Sequence, residues 1–228
     1  MPRDVGVVVV AAGRGTRLGG ETAKQYLPIG GIPMVLRALR PFTAHPDVAR
    51  IALVLPPEDA GTPPAFLAGL VGAGLLVVSG GAQRSDSVRA GLAALGPECS
   101  VVLVHDAARP FVERAVIDAV IAYARAGEGA VAAVPVSDTL KEAAPDDQTR
   151  VVRTVPREGL WRAQTPQGFP RAVLERAHAA GSAGATDDAA LVERLGVPVR
   201  LVPDSPRNLK VTSGADFALA QLLAGAPE

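Results

Sequence analysis

The apolar run from Val5 to Ala12, followed at once by a glycine-rich loop, constrains the fold more than any other feature of this sequence. The run is too short to cross a membrane, and it predicts a buried strand of a parallel sheet. Four glycines and three cationic side chains follow, namely Gly13, Gly15, Gly19, Gly20, Arg14, Arg17 and Lys24. Glycines let backbone N–H groups approach an anion closely, and the cations neutralise its charge. We therefore predict a nucleotide-phosphate loop in an open α/β sheet, the alternative being an ordinary βα connection.

The loop fits neither of the two common phosphate-binding motifs. Leu18 stands where the dinucleotide fingerprint has its third glycine. Lys24 lies between Ala23 and Gln25, whereas a Walker loop has its lysine after glycine and before serine or threonine. Because a loop of this length usually has a functional reason, we predict a phosphate-binding loop of another type.

Size and charge set further limits. The chain has 228 residues, 48% of them hydrophobic, which suffices for one domain with a sizeable core. A formal net charge of zero argues against a general nucleic-acid-binding protein, so any basic site has to be local. The sequence shows no targeting or membrane-spanning segment, and its single cysteine, Cys99, fits a reducing compartment. We therefore expect one domain over residues 1–228, in the cytoplasm, without nucleic-acid or membrane partners.

Apolar runs alternate with helical patterns along most of the chain, as in repeated βαβ units. Strands are predicted at residues 5–11, 51–55, 75–78, 101–104, 130–134 and 199–202. Helices are predicted near residues 34–44, 64–71, 85–95, 113–126, 171–180 and 187–195, with a last helix after Ser213. Right-handed crossovers then give an α/β fold, a Rossmann-like three-layer domain around a mostly parallel sheet.

The alternation is interrupted after Val136. Residues 137–156 contain a polar turn, Pro145-Asp146-Asp147-Gln148, between the segments 139–143 and 150–155. This pattern predicts a β-hairpin arm that projects from the sheet. Because a lone hairpin cannot bury both of its faces, we expect the arm to pack on a second copy of the chain in a homodimer; the alternative is a solvent-exposed hairpin.

Two further clusters follow predicted strands. In residues 79–88 a strand ends, two glycines turn the chain, and a helix starts with Ser or Asp near its N-cap. Such a helix start suits a base edge or a phosphate, although plain capping has the same pattern. Asp106, within HDAARP, stands just past a central strand, where ligands bind in such sheets. It is a candidate to hold Mg²⁺ or a ribose hydroxyl, the alternative being a helix cap paired with Arg109.

These clusters, together with polar interruptions at positions 157, 165, 186–187 and 208–212, resemble one family: 2-C-methyl-D-erythritol 4-phosphate cytidylyltransferase, of the non-mevalonate isoprenoid pathway. The matching stretches occur in the family's order and spacing across nearly the whole chain: AAGRGTRLGGETAKQYL, GGAQRSDSVRAGL, VLVHDAARP, VSDTLK, TVPREGLWRAQTPQGF, ATDDAALVE and NLKVT. The first stretch alone would indicate only the wider nucleotidyltransferase superfamily. HDAARP, the arm and REGLWRAQTPQGF are much more specific.

The resemblance implies transfer of CMP from CTP to 2-C-methyl-D-erythritol 4-phosphate, with release of pyrophosphate and with Mg²⁺ or another divalent cation. Arg17 and Lys24 would steady the CTP phosphates, and Arg157 and Lys210 would position the acceptor phosphate. The implied cytidine contacts are Ala11, Ala12, Gly13, Gly81 and Ser87, with Asp106 between nucleotide and acceptor. The other implied acceptor contacts are Arg109, Thr139, Thr165 and Thr186. Arg157 follows the arm, and we expect it to serve the active site of the partner subunit.

Four positions depart from the family's pattern: Ala23, Ala82, Pro156 and Arg207. Acidic residues are frequent in the family at positions 82 and 207, so the contacts made there are not carried over. Two alternative functions stay open, a cytidylyltransferase for another acceptor such as ribitol 5-phosphate and a nucleotide-sensing regulatory subunit. A glycosyltransferase would need a metal-binding Asp-x-Asp after a strand, which the sequence lacks.

Overall fold

The computed structural model describes residues 2–13, 22–72 and 74–225. The strands are β1 (Val5–Val10), β2 (Pro28–Ile29), β3 (Ile32–Pro33), β4 (Val48–Leu55), β5 (Leu75–Ser79), β6 (Val101–Asp106), β7 (Gly129–Pro135), β8 (Leu140–Ala143), β9 (Val151–Val155), β10 (Trp161–Pro170) and β11 (Val199–Pro203). The α-helices are α1 (Met34–Thr43), α2 (Pro57–Ala60), α3 (Ala65–Ala68), α4 (Arg84–Ala94), α5 (Arg114–Arg125), α6 (Arg171–Ala179), α7 (Asp188–Glu193) and α8 (Gly214–Gly225). A 3₁₀ turn covers Lys24–Tyr26. Within the described ranges, no helix is long and apolar enough to cross a membrane.

Seven strands form the central sheet, in the order β11-β7-β10-β6-β1-β4-β5. β1 runs parallel to β4 and β6, β4 runs parallel to β5, and β7 runs parallel to β11. β10 is antiparallel to both of its neighbours, β6 and β7. The sheet is therefore mostly parallel, which confirms the predicted α/β fold class.

Alternate side chains of β1 enter two separate cores. Val7 and Val9 belong to one core, together with Phe42 of α1 and Ile117 of α5. Val8 belongs to the other core, with side chains from α4, α6 and α7. Successive residues of a strand point to opposite faces, and the apolar β1 fits a sheet that is covered by helices on both faces. The result is the predicted three-layer arrangement.

The strand order reverses between β1 and β6. From β1 the chain continues outward to β4 and β5, and it then returns to place β6 on the opposite side of β1. Val10 and Asp106, at the ends of these two strands, are register partners. Loops that leave such a pair diverge, and the crevice between them is where open α/β sheets bind ligands.

The main element absent from the sequence-based prediction is β10. Its sequence, WRAQTPQGFP, contains two prolines and a glycine and has no β-branched or alternating apolar run. The strand is nevertheless buried over residues 164–169, and it fills the gap between β6 and β7. Its register with β7 is irregular between Ala163 and Gln167, around Pro166. Position in the sheet, rather than local propensity, makes this segment a strand.

Two smaller differences lie in the first half of the chain. The short hairpin of β2 and β3 was not predicted, although its turn residues, Gly30 and Gly31, have φ values of 54° and 76° that favour glycine. The helix expected near residues 64–71 is only the single turn α3, and α2 precedes it. Both differences concern segments too short for a periodic pattern to develop.

The arm is a two-stranded antiparallel hairpin. β8 pairs with β9, from Leu140 opposite Val155 to Ala143 opposite Val151, in a sheet separate from the central one. Val151 and Val152 are 57% and 53% exposed. A hairpin of this kind has little stability by itself, and its exposed valines offer an apolar surface for packing.

Candidate active site

A cavity of about 620 Å³ opens at the crevice between β1 and β6. Its described lining comes from the ends of these strands and the loops after them, the 3₁₀ turn, the starts of α1 and α4, the loop before α4 and the segment after β11. The residues are Val10, Ala11, Ala12, Gly13, Lys24, Gln25, Met34, Gly81, Ala82, Gln83, Arg84, Ser87, Asp106, Ala107, Ala108, Lys210 and Thr212. The cavity thus brings together many residues selected from the sequence: Ala11, Ala12, Gly13, Lys24, Gly81, Ser87, Asp106 and Lys210.

Glycine at position 80 allows two loops of the cavity to touch. A Cβ atom on Gly80 would lie 2.4 Å from Cβ of Ala12, well inside the distance at which two carbon atoms pack. The next residue, Gly81, donates its N–H to Ser87 Oγ over 3.2 Å. The loop after β5 is therefore held closely against the loop after β1, and the two form one wall.

Asp106 is the charged centre of the cavity. Its Oδ1 accepts a hydrogen bond from Arg84 Nε at 3.2 Å, and its Oδ2 lies 2.6 Å from Lys210 Nζ. Burial would raise the pKa of Asp106, but the charges of Arg84 and Lys210 hold it well below its usual value. Asp106 is therefore an ionised carboxylate with a cation at each oxygen. The alternative of a helix cap paired with Arg109 is wrong, because Asp106 ends a strand and the Arg109 guanidinium donates to Asn208 O.

The main chain at Asp106 is fixed by a buried network beneath the cavity. The Asp106 N–H donates to Thr165 Oγ1 at 3.0 Å, and that hydroxyl lies 3.1 Å from His105 Nδ1. The other ring nitrogen of His105, Nε2, is 3.0 Å from Arg109 O. Burial lowers the pKa of His105 to about 4, so the ring is neutral at pH 7. A hydroxyl that donates to Nδ1 then leaves Nε2–H to donate to Arg109 O.

The segment 208–212 is tied to the cavity by hydrogen bonds to its main chain. Lys24 Nζ donates to Val211 O, and the Val211 N–H donates to Ala108 O, both at 2.8 Å. Arg109 donates to Asn208 O at 2.7 Å. These bonds hold Lys24 and Lys210 at one cavity, although the two residues lie at opposite ends of the chain.

Arg84, in the cavity lining, and Asp188, its ion-pair partner, were not among the residues predicted from the sequence. Arg84 Nη1 donates to Asp188 Oδ2 at 2.7 Å, while its Nε reaches Asp106. Asp188 is also 2.9 Å from His178 Nε2. Arg84 lies inside the GGAQRSDSVRAGL stretch and Asp188 inside ATDDAALVE. Both residues therefore lie in stretches that resemble the family's motifs. Only the tertiary structure shows that the two stretches meet.

The other predicted residues that the structure describes do not line this cavity. Thr139, Arg157 and Thr186 are exposed, and the Arg157 guanidinium donates to Ser137 O at the base of the arm. Thr165 and Arg109 are buried, in the network just described. Arg17 lies outside the described residues.

Comparison with known proteins gives the family. The family model described as 2-C-methyl-D-erythritol 4-phosphate cytidylyltransferase matches residues 5–225. The chain belongs to this family. Membership in the 2-C-methyl-D-erythritol 4-phosphate cytidylyltransferase family makes the chain a nucleotidyltransferase, which confirms the predicted reaction class: CTP-dependent cytidylyl transfer in isoprenoid biosynthesis.

Individual relatives agree with the family model. Proteins named 2-C-methyl-D-erythritol 4-phosphate cytidylyltransferase are 47% identical in Frankia casuarinae, over 96% of this chain and 80% of that one, and 44% identical in Streptomyces coelicolor, over 96% and 84%. The crystal structure of the Thermus thermophilus protein of the same name superposes with a TM-score of 0.81 and 37% identity. That superposition covers 98% of this chain and 100% of the Thermus chain.

Proposed function

We propose that the cavity between β1 and β6 transfers CMP from CTP to 2-C-methyl-D-erythritol 4-phosphate. The observation that carries the assignment is the meeting of Lys24, Asp106 and Lys210 at one cavity, beside the loops of Gly13 and Gly81. Cytidine would lie against the backbone of these loops. The triphosphate would face Lys24, and the acceptor phosphate would face Lys210.

The reaction needs charge neutralisation more than proton transfer. An oxygen of the acceptor phosphate forms a bond to the α-phosphorus of CTP, the bond from that phosphorus to the bridging oxygen breaks, and pyrophosphate leaves. A phosphate monoester has its second pKa near 6, so at pH 7 it is mostly a dianion and no base has to remove a proton. Lys24 and Lys210 would hold two anions together and stabilise the charge of the five-coordinate transition state. Arg17 is proposed to assist Lys24.

His105 does not act as a base in this proposal. It is completely buried, and both of its ring nitrogens are engaged, with Thr165 and with the Arg109 carbonyl. Its imidazole serves to fix the main chain from which the Asp106 carboxylate projects. A dianionic acceptor needs no general base, and His105 is not available to act as one.

We also propose that Mg²⁺ binds together with CTP. Within residues 2–13, 22–72 and 74–225, no three His, Cys, Asp or Glu side chains gather where they could hold a metal ion. Mg²⁺ is often held by one or two carboxylates together with substrate phosphates and waters, and Asp106 supplies one carboxylate. When bound, the ion would neutralise phosphate charge. Asp106, the carboxylate among the described lining residues, would hold the ion together with the CTP phosphates.

We also propose a homodimer in which the arm supplies Thr139 and Arg157 to the partner's cavity. Both residues are exposed, and neither lines the cavity of its own chain. The exposed valines of β9 provide apolar surface for the contact. This arrangement would add the cation of Arg157 to that of Lys210 at the acceptor phosphate.

The predicted cytoplasmic location is retained as part of the proposal. The described cysteine, Cys99, is buried and free, as in proteins of reducing compartments. After cell fractionation, the pyrophosphate-releasing activity should be found in the cytosolic fraction.

The decisive experiment measures pyrophosphate release from CTP and Mg²⁺ with 2-C-methyl-D-erythritol 4-phosphate, with ribitol 5-phosphate, or without acceptor. We expect release with the first acceptor alone. Release with ribitol 5-phosphate alone would keep the CTP site but overturn the proposed acceptor. No release in any mixture, from a folded protein that still binds CTP, would point to a regulatory subunit.

A further inference from the structure

A line of charged and polar side chains runs from the cavity into the protein. Lys210 contacts Asp106, Asp106 contacts Arg84, Arg84 contacts Asp188 and Asp188 contacts His178, with closest distances of 2.6, 3.2, 2.7 and 2.9 Å. The line connects the segment after β11 with the end of β6 and with helices α4, α7 and α6. It therefore joins a residue at the acceptor side of the cavity to the rigid interior.

The inner end of this line is firmly anchored. The side chain of Asp188 is 1% exposed, and that of His178 is 3% exposed. Just before α7, Asp187 accepts from Gln167 Nε2 at 2.8 Å, and the Ala189 N–H donates to Gln167 Oε1 at 2.9 Å. The start of α7 is thus fixed to β10 in the centre of the sheet, and the main chain of Asp188 is held between these two bonds.

Arg84 links the anchored Asp188 to Asp106. Burial would lower the pKa of Arg84, but Asp188 and Asp106 raise it above its usual value, so the guanidinium keeps its charge. A guanidinium is planar and presents its donors in fixed directions, and here Nε and Nη1 bind different carboxylates. The plane of Arg84 therefore sets where Asp106 Oδ1 lies.

Lys210 depends on Asp106 for its place. An ammonium group on four methylenes has little orientation of its own, and the Lys210 side chain is 43% exposed. Its ion pair with Asp106 Oδ2 fixes the group at the cavity. Any change that rotates the Asp106 carboxylate would move the Lys210 ammonium away from the acceptor phosphate.

We propose that Arg84 is a positioning residue for the transfer reaction: anchored by Asp188, it orients Asp106, which in turn places the Lys210 ammonium for the acceptor phosphate. The inference rests on the proposed function, because it assumes that Lys210 meets the acceptor. It assigns Arg84 an indirect role, through the side chain of Asp106.

A double-mutant cycle between Arg84→Gln and Lys210→Ala tests this role. If Arg84 acts through Lys210, Arg84→Gln lowers kcat/KM for the acceptor by about a hundredfold in the wild-type background, as expected for a misplaced group. In the Lys210→Ala background the further loss is within about threefold, because residues that act as a unit are not additive. Equal losses in the two backgrounds overturn the proposal. The dissociation constant of CTP, measured by calorimetry, stays within about threefold of wild type, and a larger loss there assigns Arg84 to the nucleotide instead.

Three further variants keep the test interpretable. Arg89→Gln is the matched control, since Arg89 lies on the same helix in an exposed pair with Asp86 and should leave all constants unchanged. If Arg84→Gln does not fold, Asp188→Asn replaces it in the cycle, with a smaller loss and the same non-additivity expected. Arg84→Lys should stay impaired, because one ammonium cannot reproduce a fork between two carboxylates; full rescue contradicts the proposal.

A wild-type enzyme inactive with 2-C-methyl-D-erythritol 4-phosphate refutes the proposed function, whereas an active wild type with an additive cycle refutes only the role of Arg84.

Discussion

Single residues of the site divide into those that face the cavity and those that hold them there. Lys24 faces the cavity, and its Nζ also donates to Val211 O. Thr165 and His105 lie beneath, where they bind the main chain of Asp106 and Arg109. A polar residue in a family motif can therefore fix the main chain of a residue that faces the cavity.

Lys24→Ala tests the cationic role at the triphosphate. Removing one donor that stabilises transition-state charge typically costs about 3 kcal/mol or more, so we expect turnover to fall by a hundredfold or more while the fold survives. Steady-state kinetics and circular dichroism measure the two properties. Arg200→Ala, which breaks an exposed ion pair with Glu128, is the control and should keep wild-type turnover. Wild-type turnover in Lys24→Ala would refute the assignment.

His105 makes the stability of the enzyme depend on pH. Burial lowers its pKa in the folded state to about 4, against about 6.5 in the unfolded chain. As the pH falls through this interval the unfolded chain binds a proton that the folded chain does not, so folding loses about 3 kcal/mol. His105→Gln should therefore lose about 3 kcal/mol less than wild type between pH 7 and pH 4, measured by urea unfolding. Equal losses would show that His105 is not held neutral.

At the scale of elements, the strands and helices with a long, regular apolar pattern were predicted correctly from the sequence. β1, β5, β6 and α5 lie close to their predicted positions, because their side chains face the core in regular order. β10 was missed, because its strand-favouring residues, Trp161, Thr165 and Phe169, are separated by proline, glycine and polar residues and form no periodic apolar pattern. The segment becomes a strand through its place between β6 and β7. The start of α4 agrees with the expectation of a Ser or Asp near the N-cap: Asp86, three residues after the N-cap Gln83, forms the capping box with it.

Gly80→Ala probes the contact between the two loops that form the cavity wall. The added methyl would overlap Ala12, so we expect the loops to separate, at a cost of about 1–3 kcal/mol in CTP binding, stability or both. Calorimetry with CTP and thermal unfolding measure the two effects. Gly61→Ala is the matched control, because a Cβ there meets no atom within 4 Å. If the two variants bind CTP equally well and are equally stable, the close approach of Gly80 to Ala12 contributes neither to CTP binding nor to stability.

At the scale of the whole molecule, the cavity of one chain holds only part of the predicted acceptor site. Lys210 and Asp106 line it, whereas Thr139 and Arg157 lie on or beside the arm. All four residues were predicted from the sequence, because their motifs resemble those of the family and imply a role for each. They could not show which residues meet within one chain, and they gave no role to Arg84 and Asp188, because such pairing depends on how distant segments pack.

Mixing two inactive variants tests whether the arm acts across the dimer. If Arg157 serves the partner subunit, subunit exchange between Lys24→Ala and Arg157→Ala should recover about a quarter of wild-type activity, since half of the dimers are mixed and each has one intact site. Lys24→Ala mixed with Lys210→Ala is the control and should recover nothing, because both lysines line the same cavity. No recovery in the first mixture, with exchange verified by mass spectrometry of the mixed dimer, would place Arg157 in the site of its own chain.

The position of β10 has a consequence for synthesis on the ribosome. β6 and β7 follow each other along the chain but do not touch as strands, because β10, made after the arm, lies between them. Until residue 170 has emerged, the apolar β6 has an open edge, which is a template for pairing with other chains. The nucleotide loops of the first half are therefore translated well before Thr165 can close the network beneath Asp106. Nascent chains that end before β10 should need a chaperone, and the enzyme acquires its catalytic centre only near the end of translation.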